Sequence, residues 1–339
     1  MKKTLLLSSL LSVTVMANTN LISQAKNAGL IPFPTQEKEI SKLIDNPKNP
    51  ITEAKVELGK KLYFDPRLSK SGLISCNTCH NLALGGVDGV EAAIGHNWTA
   101  NPHHLNSPTV YNSVFNKKQF WDGRSPDLED QAQGPIQAPP EMAAPKELVT
   151  GRINSIPAYV NEFKKAYGND VNITFEIIAN TIATFERILI TPSRYDAFLS
   201  GNEKILTKEE QEGLKLFIDK GCTACHTGIA LGGGMQIFDA GKKYKYRDVG
   251  DFKGDKNGMV RVPTLRNIEE TKPYFHNGKI WSLKEAVQEM GTTQLSIKIN
   301  DTDANKIVTF LKSLTGKKPN IAYPVLPAST DKTAKPDVK

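Results

Sequence analysis

The chain has 339 residues, four cysteines, six histidines and a formal net charge of +7 at pH 7. Its basic residues are spread along the chain and form no Lys/Arg block of the kind that binds nucleic acid, and beyond the N-terminal leader no apolar run approaches the roughly 20 residues of a membrane span. These features argue against nucleic-acid binding and against a membrane anchor, and the length leaves room for two globular domains.

Residues 1–17 are typical of a cleaved export signal. Lys2 and Lys3 precede a short apolar run, and Val15 and Ala17 provide the residue pattern expected before a cleavage site. Removal of this segment takes away Lys2 and Lys3 and lowers the formal charge from +7 to +5. The leader predicts a soluble, exported protein of the periplasm.

All the cysteines lie in two short motifs, CNTCH at 76–80 and CTACH at 222–226. Four cysteines in an exported protein would first suggest two disulfides. In a C-x-x-C-H motif, however, both cysteines form thioethers with haem vinyl groups and the histidine becomes the proximal iron ligand. Two such motifs predict two covalently bound haem c groups. The predicted haem-binding residues are Cys76, Cys79, His80, Cys222, Cys225 and His226.

The flanks of the two motifs repeat in the same order, which indicates an internal duplication. A helix is predicted before each motif, from ELGKKLYFD in the first copy and EGLKLFIDKG in the second. Two further pairs of segments match: SPTVYN (107–112) with VPTLRN (262–267), and FWDGRSPDLEDQ (120–131) with YFHNGKIWSLKEAVQ (274–288). The duplication therefore extends well beyond the cysteine motifs.

Each copy then reaches a Glu-Met pair and closes with an amphipathic helical pattern. The methionine follows the motif histidine by 62 residues in the first copy and by 64 in the second. The closing helices are predicted within 174–189 and 303–314, and Asp301 and Thr302 are the predicted caps of the second one.

Strand signals are few, so the sequence predicts a mainly α protein with two cytochrome-c-like haem domains in tandem. The first domain is predicted at 18–192 and the second at 193–320, so that they meet near Thr191-Pro192. The tail at 321–339 is rich in Pro and Lys, and it is predicted to be extended or disordered.

Each haem iron has a second axial position that the motifs do not assign. For the second haem the downstream methionines are Met235, Met259 and Met290. Met235 follows the motif histidine too closely for the chain to pass around the haem to the opposite face. We therefore favour Met290, which the pattern predicts on a loop just before the closing helix.

For the first haem, the duplication points to Met142. The first copy also carries an insertion that contains His96, His103 and His104. His103 and His104 follow a proline in a polar segment and are predicted to lie at the surface. The residues alone leave both His96 and Met142 open as the axial ligand.

Over essentially the whole mature chain, the sequence closely resembles the bacterial di-haem cytochrome c peroxidases. Several uncommon motifs occur in the family's order, which makes the resemblance more specific than haem attachment alone. The segments that carry it are SCNTCHNLALGGVDG, IGHNW, NSPTVYN, QFWDGRSPDLEDQAQGPI, PPEM, KGCTACHTG, VPTLRNI, PYFHNG and EAVQEMGTTQL.

The resemblance implies an enzyme that reduces hydrogen peroxide to water with electrons from a small soluble c-type cytochrome. Electrons enter at the second, high-potential haem, where Met290 is the distal ligand, and are used at the first, low-potential haem. By the same resemblance, His96 caps the first iron in the resting enzyme and leaves when the second haem is reduced. A homodimer is the usual assembly of that family.

The resemblance also implies roles for residues near the haems. Glu141 matches the acid–base residue of the peroxide pocket, with Gln131 beside it, and Trp121 matches a tryptophan between the haems. A calcium ion at the domain interface is implied as a further cofactor. Its matching residues are Asn106 and the backbone carbonyls of Thr271 and Pro273.

Two other functions fit parts of the pattern. A non-enzymatic di-haem electron carrier would keep both irons six-coordinate in every redox state. A related di-haem enzyme that oxidises a protein side chain is disfavoured, because those relatives have a tyrosine where this chain has Met290.

Overall fold

The computed structural model describes residues 20–338, so the predicted export signal lies outside the described residues. Helices dominate this part of the chain, as predicted. They are α1 Leu21–Asn27, α2 Glu37–Ile44, α3 Glu53–Phe64, α4 Cys76–Cys79, α5 Leu128–Gln131, α6 Gln133–Gln137, α7 Lys146–Asn154, α8 Pro157–Tyr167, α9 Phe175–Arg187, α10 Arg194–Leu199, α11 Lys208–Asp219, α12 Leu283–Gln294 and α13 Asp301–Lys312. Within residues 20–338, no helix is long and apolar enough to cross a membrane.

Two short strands, β1 Met235–Ile237 and β2 Met259–Arg261, form an antiparallel pair in the second half. Met235 lies opposite Arg261, so the sheet brings the loop after the second cysteine motif beside the segment that precedes VPTLRN. The pairing positions Arg261, the last residue of β2, whose N–H contacts the first half at the carbonyl of Trp121.

A pair of crossed helices forms the centre of each half, α3 with α9 in the first and α11 with α13 in the second. Both pairs meet at a helical glycine. A Cβ on Gly59 would lie 2.2 Å from the carbonyl oxygen of Thr181, and one on Gly213 would lie 2.1 Å from that of Lys306. Glycine is needed at both places because the backbones approach so closely. The duplication seen in the sequence is thus repeated in the packing.

The closing helix of the second half begins at Asp301, which was itself a predicted cap. Asn300 is the cap, and its side-chain oxygen accepts a hydrogen bond from the backbone N–H of Asp303 at 2.8 Å. The assignment of Asp301 and Thr302 as caps is therefore wrong. Asparagine is a strong N-cap residue, and Asp301 in the first turn instead interacts favourably with the helix dipole.

The two halves join around the hydroxyl of Thr191. The side-chain amides of Asn112 and Asn267, which end the repeated SPTVYN and VPTLRN segments, donate to it at 2.8 and 2.9 Å. Both asparagines have left-handed backbone conformations, and their N–H groups donate to the equivalent carbonyls of Leu189 and Leu314. These matched contacts relate the halves by an approximate twofold axis.

Each end of the described chain packs on the half that is farther from it in sequence. Helix α1 buries Ile22 and Ala25 in the core of the second half. The tail is extended across the first half, where the guanidinium of Arg152 donates to the carbonyls of Ala334 and Lys335. The extended tail is therefore hydrogen-bonded to the first half almost to the end of the described chain.

Candidate haem-binding and active sites

A cavity of about 510 Å³ adjoins the first cysteine motif, and Cys76, Cys79 and His80 lie in its wall. Four acidic residues also line it: Asp122, Glu141, Glu186 and Asp251. The other predicted site residues in this wall are Gln131, Trp121, Asn106 and Met142. The structure thus brings most of the residues expected at the first haem to one cavity.

A second cavity of about 190 Å³ adjoins the other motif, and its wall includes Cys222, Cys225, His226 and Met290. No aspartate or glutamate occurs among the residues that line it. The rest of the wall near Met290 is mostly aliphatic and aromatic, with Phe217, Leu265, Leu283, Val287, Ile299, Ile307 and Leu311. The two cavities therefore share the haem-attachment residues but differ in acidity.

The two motif histidines are held in the same tautomer. Nδ1 of His80 lies 2.9 Å from the carbonyl oxygen of Pro108, and Nδ1 of His226 lies 3.0 Å from that of Leu231. A carbonyl can only accept, so each Nδ1 carries the hydrogen and Nε2 keeps its lone pair. Burial lowers the pKa of both histidines, which favours the neutral ring that a metal requires.

The cysteines fit haem attachment better than a disulfide or a zinc site. None of the four forms a disulfide. Burial raises the pKa of Cys76 and raises that of Cys79 to about 12. The part of the chain that the structure describes holds no group of three or more His, Cys, Asp or Glu side chains placed for a metal ion. The donors present in each cavity suit a covalent haem with a histidine ligand.

The first Glu-Met pair lies in an irregular turn after Pro139 and Pro140, which cannot continue helix α6. The turn closes through Glu141, whose N–H donates to the carbonyl of Ala138 at 3.0 Å. In this conformation both Glu141 and Met142 line the first cavity. The local backbone therefore directs a carboxyl group to the place where the first haem is expected.

Burial makes the carboxyl group of Glu141 easier to protonate than that of an exposed glutamate. It raises the pKa above the ordinary value, and the nearby positive charge of Arg124 offsets part of that rise. A raised pKa brings a carboxyl group closer to the range in which it can act as both acid and base. Gln131 lies in the wall of the same cavity and adds an amide donor and acceptor.

The second Glu-Met pair differs, because Met290 lies inside helix α12. The prediction that it lies on a loop is wrong: Ser282 caps this helix, with its side chain accepting from the N–H of Glu285, and no proline interrupts the segment. Helical geometry sends the two side chains in different directions. Met290 lines the second cavity, whereas the carboxylate of Glu289 accepts from the backbone N–H of Lys245 at 3.1 Å.

His96 lies beside the first cavity but is not among the residues that line it. Its N–H donates to the carbonyl of Glu141 at 2.8 Å, and its buried Nδ1 has no hydrogen-bond partner. The next two residues, Asn97 and Trp98, both have left-handed backbone conformations, and a Cβ on Gly95 would lie 2.1 Å from the carbonyl oxygen of Pro140. The histidine is therefore attached through its backbone to the turn that carries Glu141.

The other two histidines of the insertion each have a carboxylate nearby, that of His103 from the second half and that of His104 from the first. His103 is half-exposed, and its Nδ1 lies 2.9 Å from a carboxylate oxygen of Asp251, although the residue also reaches the edge of the first cavity. His104 lies 3.8 Å from the carboxylate of Glu91. His103 therefore has a hydrogen-bonded carboxylate partner, whereas the buried Nε2 of His104 forms no hydrogen bond.

Trp121 and Asn106 lie in the walls of both cavities. The indole Nε1 of Trp121 donates to the carbonyl of Asn106 at 2.9 Å, and the N–H of Asn106 donates to that of His276 at 2.8 Å. In the related contact, the N–H of Arg261 donates to the carbonyl of Trp121 at 2.8 Å. Since Asn106 corresponds to Arg261 and Trp121 to His276 in the duplication, the interface repeats the twofold relation.

The residues expected to bind calcium lie together at this interface. The side-chain amide of Asn106 is 2.7 Å from the carbonyl oxygen of Pro273, and Thr271 lies in the wall of the same cavity. Rotation of the amide by half a turn would place Oδ1 beside that carbonyl. Amide and carbonyl oxygens are suitable ligands for calcium.

Two buried charged residues in these walls are missing from the sequence interpretation. Glu186 is buried on α9, and burial raises its pKa to about 8. It follows Ile182 by four residues on the apolar face of that helix, which was an available signal. Arg261 lies in both cavity walls, and its correspondence with Asn106 was the signal in its case.

Comparisons with known proteins agree with this arrangement. The family model described as di-haem cytochrome c peroxidase matches residues 53–204, and the cytochrome c model matches residues 210–315. The predicted tandem of two haem domains is thereby confirmed.

Full-length relatives extend the match. The chain is 43% identical to cytochrome c551 peroxidase of Pseudomonas aeruginosa over 95% of this chain and 94% of that protein. It is 47% identical to the protein of the same name from Nitrosomonas europaea, over 82% and 84% respectively. The crystal structure of a MauG-like protein associated with microbial copper homeostasis superimposes with a TM-score of 0.70 at 27% identity, covering 80% of this chain and 93% of that one.

Proposed function

Because the chain belongs to the di-haem cytochrome c peroxidase family, we propose that it reduces hydrogen peroxide to water with electrons from a small soluble c-type cytochrome. The protein is an oxidoreductase with two haem c groups, held by the two cysteine motifs. The observation that carries the proposal is the unequal acidity of the cavities. A buried carboxyl group, Glu141, lines the first cavity, and no acid is found among the residues that line the second.

Peroxide reduction takes place in the first cavity. When bound, the haem supplies the redox-active iron at which the O–O bond is broken. Glu141 takes the proton from one peroxide oxygen and delivers it to the other, a task that suits a carboxyl group whose pKa burial has raised. The amide of Gln131, in the same wall, orients the substrate by hydrogen bonding.

Electrons enter at the second haem. His226 and Met290 would hold the iron of this haem, and a thioether ligand would raise its reduction potential. The mostly apolar wall around Met290 also stabilises the less charged, reduced state. Trp121 lies in both cavity walls and is the proposed route for electrons between the haems.

His96 is the removable ligand of the first iron. Its Nδ1 has no hydrogen-bond partner. Its loop contains Gly95, where no side chain would fit, and two residues with left-handed backbone conformations. Met142, the rival ligand, lines the first cavity and also packs in the hydrophobic core of the first half. The backbone bond from His96 to Glu141 would transmit a change at the ligand to the proton-transfer group.

Three finer features complete the proposal. Calcium binds between the halves at Asn106 and at the carbonyls of Thr271 and Pro273, where it fixes the relative orientation of the haems. The leader at 1–17 directs the protein to the periplasm. The enzyme assembles as a homodimer, as the family resemblance implies.

The test is peroxide consumption by the half-reduced protein, with a reduced small c-type cytochrome as electron donor. We expect catalytic oxidation of the donor, and electron paramagnetic resonance should show loss of the low-spin bis-imidazole signal on half-reduction. If that signal persists and peroxide is not consumed, the protein is a di-haem electron carrier. Persistence of the signal with normal turnover would contradict only the release of His96.

A further inference from the structure

Arg261 ends strand β2 between the two cavities and lies in the walls of both. The residue is 4% exposed, so its guanidinium group is removed from bulk water. Neither the proposed proton transfer nor the proposed electron route uses it. A buried positive charge at this position needs an explanation, because an ion without a partner is strongly disfavoured in a protein interior.

The protein itself provides little compensation for this charge. Nε of Arg261 donates to the carbonyl oxygen of Phe120 at 3.0 Å, and the guanidinium carbon lies 5.6 Å from the ring centre of Trp121. Within residues 20–338 no carboxylate forms an ion pair with Arg261, and the two terminal nitrogens, Nη1 and Nη2, have no hydrogen-bond acceptor. Burial alone lowers the pKa of this arginine to about 10, without any opposing acidic neighbour.

The three other buried arginines of the described chain have partners in the protein itself. Arg187 lies 3.5 Å from a carboxylate oxygen of Glu129, although its Nε and Nη1 form no hydrogen bond. Arg266, five residues farther along, donates through Nη1 and Nη2 to the two carboxylate oxygens of Asp196 at 2.9 and 2.7 Å. Arg152 donates to five backbone carbonyls, those of Arg67, Ser69, Lys70, Ala334 and Lys335. The contrast indicates that the partner of Arg261 is supplied by a bound group.

We propose that Nη1 and Nη2 of Arg261 bind haem propionate groups and that this one cation sets the reduction potential of the haem or haems it contacts. The proposal rests on the presence of the two haem c groups in the proposed function. Thioether attachment uses the vinyl groups and leaves both propionates of each haem as free carboxylates. The planar fork of a guanidinium matches a carboxylate in two parallel hydrogen bonds.

The position of Arg261 explains why one residue can serve both haems. In the duplication it corresponds to Asn106, and each of the two residues donates its N–H across the interface to the other half. Asn106 places a neutral amide at its position, whereas Arg261 places a permanent charge. The protein's own side chains at these two equivalent positions are thus unequal in charge: the second half contributes a cation, and the first half a neutral amide that is also the proposed calcium ligand.

The experiment is a redox titration of the holoprotein, followed by haem absorption, without peroxide or donor. A positive charge stabilises the reduced haem, so Arg261→Gln is expected to lower at least one reduction potential. We expect about a tenfold change in that reduction equilibrium, which is about 59 mV for a one-electron couple. Arg261→Lys keeps the charge and should shift the equilibrium by no more than about threefold, since only the fork geometry is lost.

Arg247→Gln is the matched control, because it removes the same charge from an exposed arginine of the second half. Its potentials should equal those of the wild type. Unchanged potentials in Arg261→Gln would overturn the proposal. Should that variant fail to take up haem, a crystal structure of the wild-type holoprotein decides. Propionate oxygens within hydrogen-bond distance of Nη1 or Nη2 support the proposal, and water or a chloride ion there overturns it.

This test is independent of peroxidase activity. A shifted potential in a protein that does not consume peroxide would support the role of Arg261 and contradict the proposed function. Normal peroxide turnover with unchanged potentials in Arg261→Gln would support the proposed function and contradict the role of Arg261.

Discussion

The two halves of the molecule share a backbone plan but place the same Glu-Met dipeptide in different backbone conformations. Both have crossed helices that meet at a glycine, and both hold the motif histidine through Nδ1. The Glu-Met pair, however, lies in a turn at 141–142 and in a helix at 289–290. In the turn both side chains reach the cavity, whereas in the helix only the methionine does.

This difference shows how a duplicated domain acquires a new site without new residue types. Pro139 and Pro140 prevent a helix before the first pair, while Ser282 begins one before the second. In the proposed function, the glutamate of the first pair transfers protons and the methionine of the second pair binds iron. Local backbone conformation, as much as residue identity, determines the chemistry of each cavity.

The strongest test of this comparison replaces the carboxyl group of the Glu-Met pair by an amide, in each half separately. Glu141→Gln should lower kcat for peroxide at least about 100-fold, since general acid–base catalysis contributes about 10²–10⁴. Steady-state kinetics with haem spectra as a check on folding would measure it. Glu289→Gln is the counterpart in the second half, where the carboxylate binds a backbone N–H outside the cavity, and its kcat should stay within about twofold. Equal losses in the two variants would show that the halves are not divided in this way.

Replacement of the methionines tests the other half of the contrast. Met290→Leu should abolish the methionine–iron absorption band and lower the potential of the second haem, because a thioether ligand is lost. Met142→Leu conserves volume in the core and should destabilise the protein by less than about 1.5 kcal/mol, with unchanged haem spectra. A changed spectrum of the first haem in Met142→Leu would identify this methionine, in place of His96, as its ligand.

The corresponding aromatic positions offer a subtler comparison. Trp121→Phe removes the indole hydrogen bond to Asn106, and we expect electron transfer between the haems to slow by roughly tenfold, equivalent to about 1.4 kcal/mol in the barrier. Pulsed reduction followed by fast absorption spectroscopy would measure it. His276→Phe, at the equivalent place in the second half, should leave the rate nearly unchanged. A larger effect at His276 would reassign the electron route.

The smallest expected effect concerns the acidity of the first cavity. Burial raises the pKa of Glu186 from 4.5 to about 8, so the folded protein keeps a proton that the unfolded chain releases. The contribution of Glu186 to stability therefore falls as pH rises between about 4.5 and 8, and Glu186→Gln should remove this part of the pH dependence. Thermal unfolding at pH 5 and pH 8 measures the difference.

Glu176→Gln, at an exposed position of the same helix, is the control and should retain the wild-type dependence on pH over this range. If Glu186→Gln behaves like the wild type, the carboxyl group of Glu186 is not held neutral by burial.

Much of the fold was predictable because its signals are local. The cysteine motifs, the helices that flank them and the repeated segments can be read without knowledge of long-range contacts. Met290 was expected on a loop, because distance from the closing helix says nothing about a capping serine eight residues earlier. The buried charges of Glu186 and Arg261 were missed for a related reason. Charge is usually exposed, and only the packing of distant elements shows that these two side chains face a cavity.

The crossed ends of the chain have a consequence for how this protein can be divided. Helix α1 covers the second half, although it belongs to the first by sequence, and the extended tail covers the first half after the second is complete. A cut after Thr191 would leave the first fragment with helix α1 but without the tail that packs on it. The second fragment would keep the tail and lose helix α1. We therefore expect each haem domain, despite their common ancestry, to fold as a separate protein only if it is expressed with the end segment that packs on it.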